Sequence, residues 1–425
     1  MFFSPTSLRR ARRATCSLIG SVVALTAGFV LDTSSVSAAS FVVTNLDVSG
    51  EGSLADRIAD ANTAAGPDVI TFAPGLNGTI DMAATPLSGV TIAGSTSHGI
   101  RVDGGGDVTI SQVTVSGSGD ESGEHGVNIV GAGAVTLTDV TALESASDGI
   151  FIQNVGEVRL ERLASNDNGS DGVVVDGAAA VTVADVSASS NRDDHLDVDD
   201  VDGGLTVTDL DFTDSGAGNG VDINEVTGDV TVSGVTTTAQ DDEGIEITIV
   251  GGDVSISDVT VEDTDDEAIR LGTISGGVVI RSVSATRSQA EGIELDGIVG
   301  AVTLDGVSVR ESADNGIDIA TAGGVVIAES FVADSGEEGD TLDGDGVGIV
   351  LSDFGEGLIN RSTVIGSETH AVLAETASSL RIVNSTATQN SSTSGRPTFG
   401  VFDIESVEID HSTVTQNGSD TAPLA

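Results

Sequence analysis

The chain has 425 residues, with 67 Asp+Glu against 16 Lys+Arg, for a formal net charge of -51; all the basic residues are Arg, and Trp and Tyr are absent. So acidic a chain has no electrostatic route to nucleic acid or to an anionic membrane face. A single Cys excludes a disulfide framework or a Cys-based zinc site, scarce Pro without a three-residue Gly period excludes collagen, and 39% hydrophobic residues require a packed core.

In chain order, the first predicted element is a targeting segment. Arg9, Arg10, Arg12 and Arg13 precede an apolar run over residues 16–31 and small residues over 34–40. Basic, then apolar, then small residues predict a secretory signal peptide over 1–39, and Ser37-Ala38-Ala39 fits the cleavage pattern. About sixteen apolar residues is short for a retained bilayer span. Cys16 lies inside the removed segment and lacks a Leu three residues before it, so no lipid anchor is expected. The expected destination is extracellular or the cell surface, with no transmembrane segment in the mature chain.

Residues 40–75 read as an N-terminal cap. Ser53 is a plausible N-cap, and Leu54, Ile58 and Ala61 fall on one face of a short amphipathic helix. Residues 76–418 are repetitive, and 419–425 form a tail. A Gly-apolar-x-apolar tetrad recurs at Gly126, Gly149, Gly172, Gly220, Gly244, Gly292, Gly316 and Gly348, with degenerate copies at His195, Ala268 and Ala371. Up to Gly316 the copies are 23–25 residues apart. A second apolar pair follows in most units (Val135/Leu137, Val230/Val232, Val302/Leu304), and a third segment begins at Val140, Val235 or Val307.

Period-two alternation rich in Val, Ile and Thr means strands with one buried face. A three-strand unit of about 24 residues cannot bury that face alone, but it can when stacked on its own copies. The expected fold is all-β: a parallel β-helix of about thirteen coils, a rod on the order of 60 Å long. Leucine-rich repeats share the period but their Leu/Asn spacing is missing, and propeller blades need units near forty residues.

Residues 43–74 resemble the N-terminal segment of many bacterial secreted right-handed β-helix proteins of the pectate-lyase-like superfamily. Their pattern runs roughly T-N-x-x-D-S-G-x-G-S-L-R-x-A-I-x-x-A-N, then G-x-D-x-I-x-F. Thr44, Asn45, Gly50, Gly52, Ser53, Leu54, Ile58, Ala61, Asn62, Gly66, Asp68, Ile70 and Phe72 match, while Ala55 and Asp56 replace the usual Arg and its neighbour. The resemblance implies a right-handed coil. It does not imply one function, because relatives include lyases, hydrolases, epimerases and adhesins.

The acids are columnar. They concentrate in the turn before each tetrad (Asp148, Asp171, Asp193, Asp194, Asp241, Asp242, Glu243, Asp265, Asp266, Glu267, Glu291, Asp314) and at its outward position (Asp197, Asp222, Glu246, Glu294, Asp318). Two carboxylates one coil apart repel by roughly 0.9 kcal/mol even in water-like dielectric. Arg270 falls between Glu246 and Glu294 as a neutralising rung. Oxygen ligands suit Ca²⁺, so Asp241, Asp242, Glu243, Asp265, Asp266 and Glu267 are the expected metal ligands, with calcium the cofactor. The alternative is a solvated acidic face. The insertion at 337–346 adds acids without completing a helix-loop-helix calcium loop.

One unit departs from the pattern: residues 191–200 read NRDDHLDVDD, with His195 in the Gly slot. Hydrolysis of a glycosidic bond needs two carboxyls, and a His within reach can shuttle protons. Asp194, His195, Asp197 and Asp222 are therefore the candidate catalytic residues, against the alternative that His195 fills a turn. His98, His125, His370 and His411 look isolated in sequence and read as turn or surface residues. The absence of Lys, Trp and Tyr weighs against a lyase or a sugar-stacking groove. The leading expectation is a secreted or cell-surface binding/structural, adhesin-like module that calcium stabilises and that meets extracellular polysaccharide or a cell-surface component. The alternative is a polysaccharide-active enzyme of the glycoside hydrolase, lyase or epimerase type, with its site around Asp193–Asp200.

Overall fold

The computed structural model describes all residues except 1–38, 46, 48–49, 64–67, 74–86, 337–345, 391–396, 416 and 418–425. Nearly all of the expected signal segment and the acidic insertion at 337–345 therefore lie outside the described residues. Each short Val/Ile/Thr segment pairs in parallel with its copy one unit earlier and one unit later. The first-strand ladder runs Leu196↔Val221↔Ile245↔Ile269↔Ile293↔Ile317. The second runs Val181↔Leu205↔Val230↔Val254↔Val278. The result is a parallel β-helix, in which the alternate residues Val127/Ile129, Ile150/Ile152 and Val221/Ile223 are wholly buried. Burial of this kind contributes about 1.5–3 kcal/mol per side chain, and no unit could secure it alone.

Each coil bends at three places, and each bend includes one residue in the left-handed region. Among the described residues, every non-Gly residue of positive φ falls in one of three columns, for example Asn154, Asp200, Glu225 and Ile249 in one, and Asp139, Arg162, Asp185 and Asp209 in another. This explains why Asp, Asn and Gly punctuate the strands: their side chains tolerate a conformation that L residues otherwise avoid. Ile249, at φ +54, is the least suited of these occupants.

The glycine that opens each tetrad has a different cause. A Cβ at Gly149 would lie 2.0 Å from Ser165 Oγ, and one at Gly126 would lie 2.8 Å from Ser145 Oγ. The space a side chain would need is taken by the next coil's carbonyl, by a Val at Gly244, Gly292, Gly316 and Gly348, and by interior polar side chains. They form a column just inside one corner, where Ser145, Asn168, Asn191, Ser215 and Thr264 are all buried. Asn168 Oδ1 accepts the Ser145 N–H at 3.0 Å, and Asn191 Oδ1 accepts the Asn168 N–H and Nδ2–H at 3.1 and 2.9 Å. Asn390 and Asn417 repeat the arrangement near the other end. Buried turn amides need such partners, and this column was not anticipated from sequence.

One end is closed by the helix Leu54–Thr63, whose Leu54, Ile58 and Ala61 are buried in the common core. Ser53 Oγ accepts the Asp56 N–H at 3.2 Å, and Asp56 reaches back to the Gly52 N–H at 3.0 Å, a reciprocal cap of the helix start. Among the described residues no helix is long and apolar enough to cross a membrane.

Candidate functional site

Two acid columns share one long face. The turn column passes through Asp148, Asp171, Asp194, Asn219, Glu243 and Glu267, each just before a tetrad. The outward column aligns Asp197, Asp222, Glu246, Arg270, Glu294 and Asp318 in register.

The turn column has a structural cause. Asp171 Oδ1 accepts the Asp194 N–H at 2.9 Å, Asp194 Oδ1 accepts the Asn219 N–H at 2.5 Å, and Asn219 Oδ1 accepts the Glu243 N–H at 2.9 Å. Each side-chain oxygen thus satisfies a backbone donor in the next coil. Asn does this as well as Asp, so the negative charge is surplus to the fold.

That surplus perturbs the carboxyls. Burial first, eased in part by the Asn219 N–H and worsened by Asp171 and Asp222, pushes Asp194 up to about 8. Burial and then Asp222 push Asp197 up to about 7, and burial and then Glu246 push Asp222 up to about 6. Asp171, Glu243 and Glu267 are raised for the same reasons, burial leading in each. Arg270 relieves the middle of the face: its guanidinium lies 3.0 Å from Glu246, 3.3 Å from Glu243 and 3.3 Å from Glu294.

Asp194, Asp197 and Asp222 come together on this face; His195 does not. Its side chain turns inward and is wholly buried against Phe212, with ring centroids 5.4 Å apart. Asn191 Nδ2 donates to Nδ1 at 3.0 Å, and Nε2 donates to the Thr213 carbonyl at 3.1 Å. Both ring nitrogens are committed, and burial lowers the imidazole to about 4. The expectation of a proton-shuttling His195 is corrected: it occupies a Gly slot whose side chain can only point into the core, where it acts as a neutral packing residue.

Of the expected calcium ligands, Asp242, Glu243 and Asp266 present carboxylate oxygens within 4.8 Å of one another. Two oxygens on one Ca²⁺ at 2.3–2.6 Å lie at most about 5 Å apart, and this triplet meets that spacing limit. Asp241 and Asp265 instead line a depression on the neighbouring corner, and Glu267 stands beside Asp266 without joining the triplet. A second triplet, Asp171, Asp193 and Asp194, meets the same limit and went unrecognised as a metal set in the sequence. So did the cluster at the start of the turn column. His125 is buried, its Nδ1 lies 2.9 Å from Asp148 Oδ2, and its ring is stacked between His98 and Phe151 at 5.3 and 4.6 Å. His98, His125 and Asp148 each precede a tetrad glycine, so aligning the units places them in one column; neither His98 nor His125 is isolated.

Residues 79–234, 171–329 and 275–422 match the family described as the right-handed β-helix region, and the chain belongs to that family. No curated protein sequence matches it. Among solved structures, it is similar to the A-module of a mannuronan C-5 epimerase from Azotobacter vinelandii. There the identity is 13%, with 87% of this chain and 93% of that chain covered, at a TM-score of 0.39. It is also similar to an alginate lyase in complex with a trisaccharide, at 12% identity, 90% and 86% coverage and a TM-score of 0.41. A pectate lyase matches at 13% identity, 92% and 80% coverage and a TM-score of 0.33. These likenesses concern the coil architecture alone.

Proposed function

We propose that the protein is a secreted polysaccharide-active β-helix, with Asp197 and Asp222 as its acid and base pair and Asp194 beside them. One observation carries this reading: Asp197 and Asp222 stand in register as outward carboxyls on adjacent coils, where burial and neighbouring carboxylates raise both towards neutral pH. Near neutral pH the pair can hold one proton between them, the condition for a general acid beside an ionised carboxylate. Asp197 protonates the leaving oxygen as the glycosidic bond breaks, and Asp222 takes a proton from the water that bonds to the sugar carbon. The test incubates the full chain with a panel of neutral and charged polysaccharides and follows new reducing ends. Release from at least one polymer, lost in Asp197→Asn and Asp222→Asn, supports the reading; no release from any polymer sinks it.

A second reading has its own support in the two carboxylate triplets: a calcium-stabilised extracellular binding module. Ca²⁺ bound to the folded state must raise its unfolding midpoint. Melting with Ca²⁺ and with EDTA therefore decides this reading, and an unchanged midpoint leaves only a solvated face.

A further inference from the structure

One bond recurs along the turn column. A side chain accepts the backbone N–H of its counterpart in the next coil: Asp171 for Asp194, Asp194 for Asn219, Asn219 for Glu243, and Asn315 for Val347 at 3.0 Å. His98 makes the same bond with nitrogen. Its Nδ1 accepts the His125 N–H at 2.9 Å, beside the first-strand pairing that runs from Ile100↔Val127 to Asp103↔Val130. A carboxyl keeps an oxygen lone pair whether or not it carries a proton, and an amide does not titrate. An imidazolium has no acceptor at all. Among these links, His98 is the one whose acceptor a proton removes, and imidazoles titrate between about pH 5 and 8.

We propose that His98 is an acid-sensitive latch: a proton on its ring releases the strand Ile100–Asp103 from Val127–Val130, while the later coils stay closed. The inference is independent of the glycan-active reading. The carboxylates that face a protonated His98 are already committed. Asp103 is paired with Arg101 at 2.9 Å, Asp148 is paired with His125 at 2.9 Å, and Glu124 accepts the Asp120 and Glu121 N–H groups at 2.8 and 3.0 Å. The guanidinium of Arg101 and the His125 ring, stacked on His98 at 5.3 Å, oppose a new positive charge. Burial, and then His125 and Arg101, hold the His98 imidazole below its ordinary 6.5, against the weaker pull of Glu124 and Asp103. Folding therefore favours the neutral ring, so the latch is closed above about pH 6.5 and is lost as the pH falls through the depressed value. The buried His125 then keeps a backbone N–H without an acceptor, a costly state for a buried donor. The pairing at this joint spans four residues, against six at Leu196–Val201 and Val221–Val226, so one lost bond is a larger share of it. The second-strand ladder from Val108↔Val135 to Ser116↔Leu143 keeps the coil attached. Acid thus loosens one end of the long acidic face without dismantling the rod.

The test is amide hydrogen exchange of the full chain at about pH 7.5 and about pH 4.5, with each rate set against that of an unstructured chain at the same pH. Protection of the His125 amide should fall roughly tenfold or more between the two. Protection of the Glu243 amide, whose acceptor Asn219 does not titrate, should hold. His98→Asn keeps an acceptor of the kind that Asn219 and Asn315 supply, so its His125 amide should stay protected at both pH values. In His98→Ala that amide should be unprotected at both. If His98→Ala fails to fold, His98→Asn decides alone. Protection of His125 that does not fall in the full chain overturns the proposal. So does an equal fall in His98→Asn, which would assign the acid response to the His125–Asp148 pair instead.

Discussion

Replacing Asp194 by Asn tests the acidic face at its most perturbed described carboxyl. Asn keeps the oxygen that accepts the Asn219 N–H at 2.5 Å and removes only the charge. Because the folded carboxyl sits near 8 against an ordinary 3.8, folding favours its protonated form. Its contribution is therefore fully present below about pH 4 and is lost as pH rises through about 8. At about 1.4 kcal/mol per pKa unit the ceiling is about 6 kcal/mol. Neighbouring carboxyls adjust their own protons and part of the group reaches water, so the expected gain of Asp194→Asn at pH 8.5 is roughly 1–3 kcal/mol. At pH 4 the gain should vanish. The assay is urea unfolding followed by circular dichroism, comparing midpoints at the two pH values, since stacked coils need not unfold in one step. Equal destabilisation of the variant at both pH values would refute the reasoning, by showing that the carboxyl's hydrogen bonds outweigh its charge.

Other predictions follow from the same geometry. Ile249→Gly should raise stability by about 1 kcal/mol at the unfolding midpoint, because a β-branched residue at φ +54 is strained where Gly is not. Gly149→Ala should cost about 1–3 kcal/mol, since its Cβ would overlap Ser165 Oγ; an unchanged midpoint would show that the interior polar column can move aside. The ring protons of His195 should not titrate between pH 5.5 and 9 in NMR spectra, given a proton affinity near 4. A midpoint near 6.5 would restore it as a proton carrier.

The coil was legible in the sequence because its causes are local and repeat. Alternation of Val and Ile with polar residues marks each strand, a 23–25-residue step marks each turn of the coil, and Ser53 with Leu54, Ile58 and Ala61 marks the closing helix. Stacking then forces equivalent residues into columns, so the Glu246–Arg270–Glu294 rung could be read by counting. Side-chain direction at irregular positions could not. His195 sits amid acids in sequence, yet a residue in the tetrad's first slot points inward, and only the packing of Phe212 and Asn191 shows this. Asp148 and His125 lie 23 positions apart, and only the coil closes them to 2.9 Å. The acids of the turn column likewise revealed their number in sequence but not their task, because the N–H groups they satisfy belong to the next coil. Composition and period thus determine the rod and the charge along it. The tertiary structure decides which of those charges are buried, which hold the fold together and which remain free to bind or react, because burial and register are relations between coils.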